Sequence, residues 1–374
     1  MSNMVLATPF HLRAAQANRD NVWTSRNGFT LAMHYTGSAE EALAARARVI
    51  IADLSWRWRV AVAGRRAPEM LARILTRNPA KLGLGEAFKA AWLNEGGAVR
   101  GTGVVARAGA DIFVVASAAP DPVSFRIAAA EFNVRIHELT GGGLAIVGPY
   151  ARYLLNRAGL NPALELLQVQ RVHWNGIDVT LSRWGEHGGY ELWCKSSDAL
   201  VVWDRLVQAG EPFGVTLGGL GAMDVLDIEA GVARPERDYD PARIDSGEKP
   251  SPQSLGLERL IDIEHRDFKG RARWLALRQT DQCVLAGVEL DCDEAATNTP
   301  LMRGTRCVGH TIASCYSPAL RRAIALAQVE TAFSAPGMKV TLTLGPTRDE
   351  RRFRCVDAHM VSLPFLAAPT PIVA

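Results

Sequence analysis

The chain has 374 residues, 48% apolar and 22% charged, with a net charge of +3. That length and apolar content suit two or three globular domains and exclude a disordered chain, and so small a positive balance excludes a dedicated nucleic-acid binder. The opening MSNMVLATPFHLRAA has no apolar core of signal-peptide length, and no run is apolar enough to span a bilayer. None of the six cysteines forms a C-x-x-C pair, so reduced thiols in a cytosolic protein are expected.

Near the start, Ser38-Ala39-Glu40-Glu41 reads as a capping box that opens a helix over EEALAARAR. WRWRVAVAG then alternates and predicts a half-buried strand, with Trp56, Trp58 and Val60 inward and Arg57 and Arg59 on a solvated face. PEMLARILTRN predicts a helix, FKAAWLN and VRGTGVVAR a hairpin around Glu95-Gly96-Gly97, DIFVVASA a strand, DPVSFRIAAAEF a helix and NVRIHEL a closing strand. A second set follows in the same order. LAIVG is a strand, PYARYLLNRAG a helix, and QRVHWNGIDVTLSRW a hairpin turned by Asn175-Gly176. YELW is a strand, and SSDALVVWDRLVQAG is a helix capped by Ser196 or Ser197 and ended by Gly210. Two such units fit the split β-α-β, ferredoxin-like arrangement. A charged, proline-rich connector precedes short strands from Cys283 onward, which predict a small all-β domain.

Gly101-Thr102-Gly103 resembles a dinucleotide fingerprint, but no helix follows to seat a phosphate, so a nicotinamide site is not expected. The eight histidines show no H-E-x-x-H or zinc-finger spacing, so no metal is expected. His34 and His187 stand out because each neighbours aromatic and glycine residues. The segment from Ser182 to Glu191 is the richest in chemistry. Its glycines allow close backbone approach to a ligand, Trp184 and Tyr190 could stack on a flat ring, and Glu191 could accept paired bonds from an amino-pyrimidine edge. The alternative is a glycine-rich turn with Glu191 solvated.

Seven segments in a fixed order, among them MHYTGSAEEALAARARVIIADLSW, WLNEGGAVRGTGVV, GEHGGYELW and LGAMDVLDIEAG, resemble the aminomethyltransferase (glycine-cleavage T-protein) superfamily over roughly residues 30–365. The resemblance implies an α+β fold. Two ferredoxin-like lobes and a C-terminal jelly-roll-like β-barrel would form a cloverleaf around a central folate channel. Residues 1–52 and 140–240 would form the first, folate-binding lobe, 53–139 an inserted second lobe, 241–280 a connector and 281–374 the barrel domain. It implies tetrahydrofolate as methyl acceptor, with Glu191 holding the pterin, Tyr190 and Trp184 lining the same pocket, Val115 in its wall and Asp224 at its border.

Departures from the family pattern direct the functional reading. Arg100 and Gly101 stand where aminomethyltransferases carry an Asp pair, Met223 where they carry Arg, and Ala116 where they carry Asn. An amine-bearing substrate would meet a cation, so glycine cleavage is not expected. Relatives on this scaffold demethylate vanillate, syringate or chlorinated (dicamba-like) methoxybenzoates, whose carboxylate Arg100 could clamp. The expected reaction is methyl transfer from such an aromatic ether to N5 of tetrahydrofolate, giving a phenol and 5-methyltetrahydrofolate. His34, Tyr35 and His187, with Tyr190, are the candidate proton donors. Demethylation of a sulfonium or N-methyl compound, or catalytically silent folate binding, are the alternatives. The expected partners are a small aromatic carboxylate and, indirectly, folate-recycling enzymes, with no nucleic acid or membrane.

Overall fold

The computed structural model describes residues 5–184, 187–241, 250–280, 282–345 and 353–368. Gly185 and Glu186 of the glycine-rich segment, and residues 242–249 of the connector, lie outside the described residues. The chain divides into two compact units. One comprises Met1–Ala90, Thr102–Asp224 and Ala368–Ala374, and the other Ala91–Gly101 and Val225–Ala367.

The first unit is built on two larger sheets. The six-stranded sheet runs in the order Gln168–Trp174, Ile177–Arg183, Tyr190–Cys194, Gly142–Val147, Val49–Asp53, Val215–Gly218. Only its last pair is parallel. Helices Ala151–Arg157 and Ala199–Gly210 cover one face, because Leu154, Leu155, Val202 and Leu206 recur at helical spacing and meet Val49, Ile51, Leu144, Ile146, Leu181 and Leu192 in one apolar cluster. Asn175 (φ 48°) and Gly176 (φ 84°) turn the hairpin as their residue types require.

The five-stranded sheet runs Ala87–Leu93, Val99–Gly109, Ile112–Ser117, Trp58–Ala63, Arg135–Glu138. The tip of its first hairpin, Ala91–Gly101, belongs to the second unit. Trp58 meets Phe125 of helix Pro122–Phe132 edge to face at 5.3 Å. The register Trp58↔Ser117, Val60↔Val115 and Val62↔Phe113 therefore marks the helix-covered side. A small sheet of Leu6–Ala7, Phe29–Ala32 and Trp23–Arg26 completes the unit.

The second unit contains a closed, antiparallel six-stranded barrel in the order Cys283–Leu290, Arg322–Glu330, Arg306–Ser317, Pro300–Arg303, Lys339–Leu344, Arg354–Val361. Closure leaves no free sheet edge. Alternate residues such as Val288, Leu301, Ala325, Leu342 and Met360 fill its interior. Leu255, Leu257, Phe268 and Trp274 pack with Ile324 and Leu326 in a further cluster.

Two local expectations are corrected. The helix expected to be capped by Ser196 or Ser197 begins with a 3-10 turn, Ser196–Asp198, and continues past Gly210 into Glu211–Phe213; Gly214, at φ 64°, makes the left-handed end. The helix Ser38–Ala47 is preceded by Gly37, and Ser38 caps nothing. Glu41 reaches back instead: Oε1 accepts from the backbone N–H of Tyr35 (2.5 Å), Thr36 (2.8 Å) and Gly37 (3.3 Å), and Oε2 from that of Gly219 (2.8 Å). One buried carboxylate thus ties the loop before its own helix to the start of helix Leu220–Glu229. No helix among the described residues is long and apolar enough to cross a membrane.

Candidate functional site

Strand alternation sorts the residues of the GYELW segment. Tyr190, Leu192 and Cys194 enter the apolar cluster under the helices, so Glu191 and Trp193 point to the opposite face. Tyr190 therefore lies on the face opposite Glu191, which corrects the expectation that the two line one pocket. Adjacent residues of a strand cannot share a face.

Glu191 is 3% exposed, at the middle of the six-stranded sheet. In register across the sheet lie Ser182, Glu191, Ala145, Ala52 and Gly218. This row of small residues gives the face a shallow floor beside the carboxylate. Gly143 completes it, since a Cβ there would sit 2.5 Å from the Trp193 ring.

Arg57 Nη1 donates to Glu191 Oε1, and Trp193 Nε1 donates to Oε2 at 3.4 Å. The Arg57 side chain is 17% exposed. From the five-stranded sheet, the Arg59 guanidinium lies 3.9 Å from the Trp193 ring centroid. Burial pulls the Arg59 pKa down to about 10, against the opposing pull of Glu191. The guanidiniums of Arg57 and Arg26 lie 5.9 Å and 5.1 Å from the Trp56 ring. Arg26 is fixed in turn by two bonds of 3.2 Å to Asp224, in helix Leu220–Glu229. Acid, arginine, indole, arginine and acid thus form one continuous array, Asp224–Arg26–Trp56–Arg57–Glu191. The expectation that Arg57 and Arg59 face solvent is overturned, because other elements of the same unit cover the outer face of their strand.

Among the described residues, Trp56 Nε1 and Arg57 Nε of this array and Oδ1 of the neighbouring Asn27 are buried with no hydrogen-bond partner. Asn27 Nδ2 holds the Trp56 carbonyl at 3.1 Å and the Ala118 carbonyl at 2.6 Å. Buried donors and acceptors are costly when unpaired. Two donors, one acceptor and a carboxylate with spare lone pairs match a flat heterocycle carrying both acceptors and donors on its rim.

The other expected residues are dispersed. Trp184 is buried against Ala87 and Ala106, with its Nε1 unpartnered. Val115 is fully buried on the helix-covered side of its sheet, not in a pocket wall, which corrects that expectation. His187 is buried in the turn before strand Tyr190–Cys194. Tyr35 lines a cleft with Thr8, Asp53 and Gly219 that takes in Ala52 and Gly218, the far end of the same row. At about 4.8 Å per strand, Ala52 is about 10 Å from Glu191. His34 follows the strand Phe29–Ala32, and a Cβ on Gly219 would come within 2.6 Å of its Cα. Burial raises the Tyr35 pKa well above the ordinary phenol value, helped by Asp53 and Glu41. Burial likewise raises that of Asp53, although Ser55 and Thr8 donate to it. Arg100 is the second residue of strand Val99–Gly109, in the second unit. There the Trp92 indole covers Gly101 so closely that a Cβ would be 2.3 Å from the ring.

Two helix-backed sheets and a closed barrel define a class of mixed α+β protein, here with a buried carboxylate framed by indoles and guanidiniums. The chain belongs to the glycine cleavage T-protein (GCVT) family. Residues 12–264 match its GCVT N-terminal domain and residues 284–366 its C-terminal barrel domain. Members of this family use tetrahydrofolate as the one-carbon acceptor. The chain is 31% identical to an aminomethyltransferase of Rubrobacter xylanophilus, over 90% of this chain and 88% of that one. It is 27% identical to a trimethylamine-oxide aldolase of Ruegeria pomeroyi, over 98% of this chain but 47% of that protein, so it spans about half that length. The crystal structure of the aminomethyltransferase T of the glycine cleavage system of Bartonella henselae superposes with a TM-score of 0.87 at 22% identity, covering 97% of this chain and 99% of that one. That likeness establishes the mixed α+β fold with its closed barrel.

Proposed function

We propose that this chain is a tetrahydrofolate-dependent demethylase for a carboxylate-bearing aromatic methyl ether, a methoxybenzoate of the vanillate, syringate or dicamba type. The observation that carries the reading is the guanidinium-rich wall around Glu191: among the described residues, Arg26, Arg57 and Arg59 stand with the carboxylates Glu191 and Asp224. A net positive wall favours an anionic donor over a sulfonium. Arg100 and Gly101 at the position of the family's acid pair point the same way, away from an amine-bearing substrate.

When bound, tetrahydrofolate supplies N5 as the methyl acceptor. Glu191 is assigned to the amino-pyrimidine edge, with Arg57 fixing its orientation and Trp56 and Trp193 flanking the ring plane. Residues 1–52 and 140–240 are assigned as the folate-binding lobe. In the transfer the ether O–CH3 bond would break as the N5–CH3 bond forms; the oxygen would keep the electron pair and take a proton from a side chain, and the proton released from N5 would restore that side chain. Tyr35 is held in its protonated form by burial and suits a hydrogen-bond donor; His34 and His187 are the other candidates. Alignment of donor and acceptor is worth roughly 7–11 kcal/mol, and a placed acid about a hundred- to ten-thousandfold.

A second reading, one-carbon transfer from an N-methyl compound, is favoured by the likeness to the trimethylamine-oxide aldolase. The test is to incubate the protein with tetrahydrofolate and vanillate, syringate, a chlorinated methoxybenzoate, dimethylsulfoniopropionate or trimethylamine oxide, and to quantify phenol and folate products by mass spectrometry. Formation of 5-methyltetrahydrofolate with the methoxybenzoates supports the first reading. Folate products from trimethylamine oxide alone replace it with the second, and no product from any donor removes both.

A further inference from the structure

Arg57 uses only one of its donor edges. Nη1 is bound to Glu191, while among the described residues Nε is buried without a partner and no bond engages Nη2. Nε and Nη2 are the two parallel donors of the side-on fork, the geometry that matches a carboxylate bidentately. The same molecule uses this fork three times. Arg13 grips Asp204 through Nε and Nη2 at 2.7 Å each, Arg234 grips Asp227 at 2.8 and 2.7 Å, and Arg237 closes on Asp238 with both atoms. At Arg57 the fork is formed, its orientation is set by Glu191 on one edge and the Trp56 ring beneath, and no carboxylate among the described residues fills it. The adjacent Trp56 Nε1 adds a third donor without a partner.

We infer that the Arg57 fork is the seat of the methyl donor's carboxylate, rather than Arg100. This rests on the demethylase reading and names the residue that selects the substrate class. Glu191 then stands between cofactor and donor, bonded to Arg57 on one side and offered to the heterocycle on the other. Both reactants would be positioned by one ion pair.

The test is calorimetric titration with vanillate, vanillamide and guaiacol, which share a ring and methoxy group but differ in the acid. Three proteins are compared: wild type, Arg57→Lys and Arg57→Met. Lysine keeps a cation beside Glu191 and loses the fork, so it separates carboxylate recognition from general support of the site. The wild type should prefer the acid to the amide by about ten- to a hundredfold, the value of charge-assisted bonds over neutral ones. That ratio should collapse toward one in both variants. A wild type indifferent to the carboxylate, or an Arg57→Lys protein with the wild-type ratio, overturns the inference. Because binding is read without turnover, the two proposals fail separately. Carboxylate-selective binding with no 5-methyltetrahydrofolate removes the demethylase and leaves the seat. Turnover with an unaltered ratio in the variants removes the seat alone.

Discussion

Replacing Glu191 with glutamine keeps the side chain's shape and removes its charge. In the free protein the change weakens the bond to Arg57, whose side chain is only 17% exposed. Hydrogen bonds to charged groups are worth about 1.5–3 kcal/mol and neutral ones about 0.5–1.5 kcal/mol, so with glutamine's neutral acceptor retained the loss of stability should be about 1–1.5 kcal/mol. Full removal of one partner from a buried pair costs more, about 3–5 kcal/mol, which sets the upper bound. With reduced folate bound, the amide offers one oxygen and an NH2 group where the amino-pyrimidine needs two acceptors. The affinity should then fall by about 3 kcal/mol, roughly two powers of ten in Kd. Urea melts of the free protein read the first quantity. Quenching of tryptophan emission reads the second, since Trp56 and Trp193 flank the carboxylate. A cycle with Arg57→Met should show coupling of about 1–3 kcal/mol in the melts, because the two side chains are in contact. A Glu191→Gln protein that binds 5-methyltetrahydrofolate as tightly as the wild type would refute the assignment of this carboxylate to the cofactor.

Glu41→Gln should destabilise the protein by about 2–3 kcal/mol, because an NH2 group would face one of the four backbone donors the carboxylate now satisfies; a chemical melt measures it. Gly101→Asp, which restores an acid from the family pattern, should cost at least about 1–3 kcal/mol through the collision with Trp92, and an unchanged melting midpoint would show that the indole moves aside freely. Burial, with Asp198 nearby, pushes the Cys194 thiol up from its ordinary 9.0 to about 12. Between those values the native state holds a proton that the unfolded chain has released, so stability should fall as pH rises from about 9 toward 12. Cys194→Ala should flatten that slope in melts taken across this range. At pH 8 a disulfide reagent should label the exposed Cys307 and Cys355 quickly and leave Cys194 unmodified until unfolding.

Where the pattern was local, it was legible. Asn175-Gly176 dictated its hairpin, PEMLARILTRN and DPVSFRIAAAEF their helices, and the short strands after Cys283 a β domain. Helix ends were less legible at Ser196 and Ser38, because capping depends on where the preceding chain arrives, and a side chain that can cap need not be placed to do so. Of the expected site, Glu191 and Asp224 lie in one array, whereas Tyr190 and Val115 face apolar cores. Their expected roles came from the family resemblance, whereas alternation along a strand puts Tyr190 on the face opposite Glu191.

The sequence by itself determined the elements, their order and the apolar side of each, because periodicity and turn chemistry act over a few residues. It also placed an unusual Trp-Arg-Trp-Arg run at 56–59, where alternation alone reads as core and solvent. Only the tertiary structure decided that the outer face of that run is covered as well. Burial turned Arg57 and Arg59 from solvated cations into the walls of the Glu191 site. Their partners lie 134 residues away for Arg57–Glu191 and 198 for Arg26–Asp224, and no local pattern carries information across such separations.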